Sequence, residues 1–136
     1  MIVADTNLLA YLLLPGARTE SAEAVWRADS EWHAPLLWRS ELRNVLALQV
    51  RHRGLEREDA VAVAREGRRL MRGREHRIDD GHVLRLAHGT DRSAYDCEFA
   101  ALAEALSAPL VTTDRRLAAA FPGRTSSPEA FAEERG

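Results

Sequence analysis

The stretch Ser93-Ala94-Tyr95-Asp96, followed one helix and one strand later by Thr112-Thr113-Asp114, sets the architecture of this chain. Each piece places an aspartate at the edge of a regular element. The chain opens the same way, with Asp5-Thr6-Asn7 behind the apolar run Met1-Ile2-Val3-Ala4. Asp5 and Asp114 fall where β-strands end, and Asp96 where a helix begins. In an open parallel α/β sheet, ligands bind outside the carboxyl ends of the strands, at the crevice where strand order reverses. Three acids gathered there make a site for a hard cation.

Around these stretches the chain alternates short strands and helices. Strands are predicted at Ile2–Ala4, Trp32–Ala34, His76–Ile78 and Leu110–Thr112. Helices are predicted over Asn7–Leu13, Thr19–Ala28, Pro35–His52, Arg57–Arg72, Asp80–His88, Ser93–Leu106 and Arg115–Ala120, with a last helical turn opening at Ser127-Pro128-Glu129. Pro35 is read as the first residue of its helix, where a missing N–H costs nothing. Thr19 or Ser21 caps the second helix, and Gly54 and Gly73 stop the two long ones. Long helix, short turn, long helix is an αα-hairpin standing on the sheet. The alternation predicts α/β with a central parallel sheet. Pro122-Gly123-Arg124-Thr125-Ser126 is a poor stretch for a final strand.

At 136 residues the chain is read as one domain, 1–136, long enough to bury a core without disulfides or metals as staples. No apolar run reaches the ~18 residues of a membrane span. Its start has neither a basic segment nor a long apolar segment of the signal-peptide kind. The single Cys97 forms no internal disulfide and reads as a small buried hydrophobe, which suits a cytoplasmic protein.

All nineteen basic residues are arginine. Without lysine there is no Walker-type phosphate loop and no Schiff-base chemistry. Receiver domains and haloacid-dehalogenase-type phosphatases, which also gather aspartates at strand ends but rely on a lysine, fall with them. The net charge of −2 exerts no global pull on nucleic acid. Its distribution is uneven: Arg51–Arg77 carries nine arginines against five acids, and the remainder of the chain is correspondingly acidic. That segment is a solvated helix face or a track for phosphates.

Each acid has a plain structural use. Asp5 and Asp114 suit turns and helix N-caps, and Ser93-x-x-Asp96 has the form of a capping box. Together they are harder to dismiss, because three accidents must land at one end of one sheet. Glu41 is the fourth member. On its helix it shares a face with Leu37, Trp38 and Val45, where a carboxylate is costly unless something positive or donating meets it. Oxygen-only ligands select Mg²⁺ or Mn²⁺ over zinc. Such an ion activates water and steadies both oxygens of an in-line displacement, so the expected reaction is phosphodiester hydrolysis without a covalent intermediate. The histidines 76, 82 and 88 do not share a helix face, no Cys-x-x-Cys exists, and no serine triad or dinucleotide loop is evident.

With these residues in place, the chain resembles a PIN-domain ribonuclease, and within that group the VapC-type toxin of a type II toxin–antitoxin pair. The resemblance is carried by Val3-Ala4-Asp5-Thr6-Asn7, Ser40-Glu41-Leu42, Ser93-Ala94-Tyr95-Asp96 with Leu102-Ala103-Glu104, Leu110-Val111-Thr112-Thr113-Asp114-Arg115-Arg116-Leu117 and Ser127-Pro128-Glu129-Ala130-Phe131, in that order along nearly the whole chain. It implies a PIN-like three-layer sandwich with a parallel sheet. Asp5 and Asp96 would match the family's Mg²⁺ ligands, Glu41 and Asp114 would complete the acidic pocket, and Thr112, with Thr6 or Asn7, would steady the carboxylates. A homodimer, a cognate antitoxin that places an arginine in the pocket, and an RNA substrate, often tRNA, are implied too. Two other readings stand beside it: a catalytically silent PIN-like binding module, and a metal-dependent nuclease acting on DNA.

Overall fold

The computed structural model describes residues Met1–Arg135. Five parallel strands form one sheet: β1 (Ile2–Ala4), β2 (Trp32–Pro35), β3 (Glu75–His76), β4 (Leu110–Val111) and β5 (Thr125–Ser126). Their order is β3-β2-β1-β4-β5. The chain therefore builds outward from β1 in one direction and then returns to build in the other. The gap between β1 and β4 is the reversal, where an α/β sheet opens a crevice.

Eight helices cover the sheet: α1 (Thr6–Leu13), α2 (Thr19–Ala28), α3 (Trp38–His52), α4 (Arg57–Leu70), α5 (Asp80–Gly89), α6 (Ala94–Leu106), α7 (Arg115–Ala120) and α8 (Pro128–Arg135). Right-handed crossovers put α1 to α4 on one face and the α5–α6 pair on the other, giving the three layers that the resemblance implies. α6 lies directly on β1, β2 and β4. Its Ala100, Ala101 and Ala103 are fully buried, and such small side chains let a helix approach a sheet closely. Ile2, Val3, Ala4, Trp32, Trp38, Phe99 and Leu110 fill the core between the layers. Cys97 is buried and free.

Several boundaries differ from the sequence reading for local reasons. Pro35 closes β2 rather than opening α3. Ala34 and Leu36 donate toward β3, at 3.1 Å to Arg74 O and 2.9 Å to His76 O. The nitrogen of Pro35 thus faces β1, whose paired positions with β2, Ile2↔Trp32 and Val3↔His33, end before it, so no ladder bond is lost. The third strand, Glu75–His76, begins one residue and ends two residues earlier than predicted. Thr19 does not cap α2, whose N-cap is Arg18 without a side-chain bond. Its hydroxyl instead accepts from Gly16 N at 2.9 Å and donates to Leu14 O at 3.2 Å, closing the end of α1. Thr125–Ser126 does form the last edge strand, parallel to β4, with Thr112 N donating to Ser126 O at 3.0 Å.

The αα-hairpin is α3 and α4, turned at Gly54 with φ of 77°. Its inward stripe on α4 runs Ala60, Gly67 and on to Met71 just past the helix. Val61 of α4 is 44% exposed. Among the described residues no helix is long and apolar enough to cross a membrane.

Candidate metal centre

Four helix starts converge on the carboxyl edge of the sheet, and each brings one acid. Asp5 is the N-cap of α1, Glu41 and Asp96 lie in the first turns of α3 and α6, and Asp114 is the N-cap of α7. Asp5 leaves β1 and Asp114 follows β4, so the two flank the reversal. The partial positive charge at each helix N-terminus offsets some of the repulsion among them. All four carboxylates line one cleft of about 410 Å³, together with Thr6, Asn7, Leu37, Ser40, Asn44, Val45 and Tyr95.

Threonines fix two of the acids. Asp5 Oδ2 accepts from Thr112 Oγ1 at 2.7 Å and Oδ1 from its neighbour's backbone, Thr6 N, at 2.8 Å. Its own N–H donates to Val111 O of β4 at 3.2 Å, which locks it to the adjoining strand. Thr6 Oγ1 donates to Glu41 Oε1 at 2.7 Å, tying α1 to α3 at the site. Thr6 and Thr112 are both buried, so each hydroxyl holds one geometry. Among the described residues Asn7 lines the cleft without a hydrogen bond to any of the four acids.

The N-cap readings hold as well, but the capping box at Ser93 is only half formed, since the Asp96 carboxylate does not reach back to Ser93 N. Asp114 Oδ1 accepts from Arg116 N at 2.9 Å and Leu117 N at 3.1 Å. Ser93 Oγ accepts from Asp96 N at 3.1 Å. Capping occupies one oxygen of Asp114 and none of Asp96.

The electrostatics bear the mark of burial first and of mutual repulsion second. Burial pushes the Asp5 carboxyl above the usual range, with Asp96 and Asp114 adding to it against the Thr112 and Thr6 bonds. Burial also raises Glu41, helped by Asp5, Asp96 and Glu98. Asp96 is raised by burial and by Asp114, while Arg92, 3.9 Å away, pulls it back. Glu98, itself raised by burial, is a fifth acid near the cleft that the sequence reading missed. Asn44 was missed too, although it lies three residues beyond Glu41 on the same face of α3.

Among the described residues no three acids close into a ready-made metal cage. Repelling carboxylates stand apart, and Mg²⁺ needs only one or two of them because it keeps most of its waters. The donor set is oxygen only, its charges are poorly compensated, and Asp5, Glu41 and Asp96 hold protons more tightly than they would in water. These properties fit a hard divalent cation. The histidines lie elsewhere: His33 Nδ1 meets His76 Nε2 at 2.8 Å between β2 and β3, and His82 meets Glu104 at 2.9 Å.

A five-stranded parallel sheet ordered 3-2-1-4-5, with acids at its reversal, agrees with what comparison of the sequence gives. The PIN domain family model matches residues 2–121. The chain belongs to the PIN-domain family. Within that family it is 33% identical over 127 residues to Ribonuclease VapC3 of Pyrobaculum aerophilum, an alignment covering 89% of this chain and 95% of that protein. Among solved structures it superposes on FitAcB from Neisseria gonorrhoeae with a TM-score of 0.73 at 22% identity, covering 95% of this chain and 99% of the other. That likeness carries the fold.

Proposed function

We propose that this chain is a Mg²⁺-dependent endoribonuclease acting as the toxin of a toxin–antitoxin pair. The observation that carries the reading is the convergence of Asp5, Glu41, Asp96 and Asp114 in one cleft at the sheet reversal. The 33% identity to a protein named as a ribonuclease supports the choice of RNA. Asp5 and Asp96 are the ligand candidates, and Mn²⁺ is the natural substitute. A bound Mg²⁺ supplies charge against a phosphoryl oxygen and a water of lowered pKa. Thr112 and Thr6 hold Asp5 and Glu41 in place beforehand, so less conformational freedom is lost on binding. Glu41, with one oxygen fixed by Thr6 and its carboxyl raised, is suited to accept a proton from attacking water. Asp114 keeps one oxygen free of its capping bonds for the same pocket.

The same reading gives the chain an antitoxin partner, and the charge layout supports one. A groove between α3 and α4 has an apolar floor, including Leu46, Val50 and Val61, between Arg51, Arg57 and Arg65. Such a seam fits an amphipathic segment with acidic flanks, while the acid cleft fits an arginine. Co-expression with the partner gene tests this: Val61→Asp should abolish co-purification without touching cleavage. A homodimer belongs to the same proposal, and light scattering reads it directly.

The deciding experiment is cleavage of a total RNA pool by antitoxin-free protein, with Mg²⁺ and with EDTA, beside Asp96→Asn. Discrete Mg²⁺-dependent fragments that vanish in the variant are expected. Cleavage that persists in EDTA or in Asp96→Asn would sink the proposal.

A further inference from the structure

The acid cleft repels the polymer it is proposed to cut. Four carboxylates facing a phosphodiester leave most of the affinity to cations outside the site, because phosphate contacts dominate nucleic-acid binding. Several other clefts carry arginines, and two of them share lining residues with the site; one of these, holding Arg18 and Arg115, is itself lined by Asp114 and Glu129 and offers a phosphate mixed charge.

The α3–α4 groove, for all its arginines, shares none of its lining residues with the acid cleft. A cleft between α1 and α3 shares two, Asn7 and Val45, and runs from them past Tyr11 and Gln49 to Arg18 and Arg53. The two clefts therefore adjoin at Asn7 and Val45, one acidic at the sheet reversal and the other cationic at the hairpin turn. Among the described residues no acid lines the α1–α3 part.

We propose that this cleft is the substrate track: a single-stranded segment of RNA flanking the scissile phosphate lies along it, with Tyr11, Arg18 and Arg53 as its positioning residues. The proposal rests on the ribonuclease reading of the acid cleft. The Arg18 guanidinium sits 5.7 Å from the centroid of the Tyr11 ring, which pre-arranges a flat cation beside an aromatic face. An unpaired base can stack on that pair, and stacking of this kind is tolerant of sequence. The acidic neighbour of Arg18 is Glu129 at 3.7 Å, with both side chains at least half exposed. An exposed pair of that kind holds weakly and gives way to a phosphate. Arg53 is exposed, held at the end of α3 by its N–H to Gln49 O at 2.9 Å and by the turn at Gly54. Among the described residues it makes no salt bridge. Gln49 and Asn7 supply neutral hydrogen-bonding groups between the two cations and the acids.

The test is fluorescence anisotropy with a labelled, unstructured 12-nucleotide RNA of mixed sequence, in EDTA so that nothing is cut, across a range of salt. Arg18→Glu with Arg53→Glu should weaken binding tenfold or more. Arg18→Ala and Arg53→Ala should each lower the slope of log affinity against log salt by about 0.7, the value per single-strand phosphate contact. Tyr11→Leu should weaken binding severalfold with the slope unchanged, which a merely structural loss would not separate. Arg72→Glu with Arg77→Glu, both exposed and outside both clefts, is the reference for the same change of charge. If the track's double variant binds and responds to salt as this reference does, the track is wrong. If it keeps RNA binding but loses the antitoxin, the cleft belongs to that partner and the track is equally wrong. A wild-type protein that neither binds nor cuts RNA would instead remove the ribonuclease reading beneath it.

Discussion

At the scale of single residues, the acids were legible because each sits at a boundary the sequence marks. Asp5 and Asp114 follow short apolar runs, and Asp96 stands behind a serine cap. Glu41 was legible for the opposite reason, a charge among apolar neighbours. The hydroxyl bond from Thr6 to Glu41 was not, because the two are 35 residues apart and meet only when α1 packs on α3. The raised carboxyls yield a prediction with a definite sign. Asp5 binds its proton more tightly folded than unfolded, so its contribution to stability is favourable at acid pH and falls as pH rises toward and through the folded pKa. Without metal, Asp5→Asn should therefore raise Tm at pH 7, on the order of 3 °C for a chain of this size. The gain should vanish near pH 4, around where an unfolded aspartate titrates. Differential scanning fluorimetry in EDTA at both pH values checks it, and a variant less stable than wild type at pH 7 would argue against the repulsion.

Elements were read well where periodicity or a stop signal was clear, and poorly where the tertiary neighbour decided. Pro35 was assigned to a helix because its strand neighbours are distant in sequence; β5 was doubted because its two residues gain their pairing only from β4. Gly67 is another such case, a glycine inside α4 with no local reason to be there. A Cβ on it would lie 3.1 Å from Leu13 Cδ1 and 3.2 Å from two ring carbons of Trp38. Trp38 is fully buried and its Nε1 donates to Glu75 Oε1 at 2.8 Å, so the ring has little room to yield. Gly67→Ala should gain about 1 kcal/mol of helix propensity and lose about 2 kcal/mol to overpacking, a net destabilisation measurable by urea melts. Gly89→Ala, with nothing within 4 Å, should not destabilise. The clamp that holds Trp38 has its own pH signature. Arg39 reaches both oxygens of Glu75, at 2.6 and 2.5 Å, and holds its carboxyl below the usual range. A depressed acid stabilises above its unfolded pKa and loses that contribution as pH falls through the folded value. Glu75→Gln should cost about 2 kcal/mol at pH 7 and progressively less in acid, as melts between pH 7 and 3 would show.

At the scale of the whole molecule, the decisive feature is that the chain builds outward from β1 twice, in opposite directions. That order turns three boundary acids and one helix acid, spread from residue 5 to residue 114, into neighbours. The sequence motifs implied the gathering, but surfaces such as the cationic α1–α3 cleft depend on which helices pack side by side and left no motif to read. Gathering like charges weakens the empty fold, and a divalent cation that binds only the folded state must restore it by mass action. At a metal concentration a hundredfold above its dissociation constant, that linkage is worth about 2.7 kcal/mol. Wild-type Tm should climb with Mg²⁺ and Mn²⁺, while Asp5→Asn and Asp96→Asn, having lost a ligand, should respond little. The curves must then cross: Asp5→Asn is the more stable protein in EDTA and the less stable one in excess metal. A crossing cannot come from a general salt effect, which would move all three proteins together and would appear equally with NaCl at matched ionic strength. Parallel curves would mean that the carboxylates are clustered but do not bind the ion.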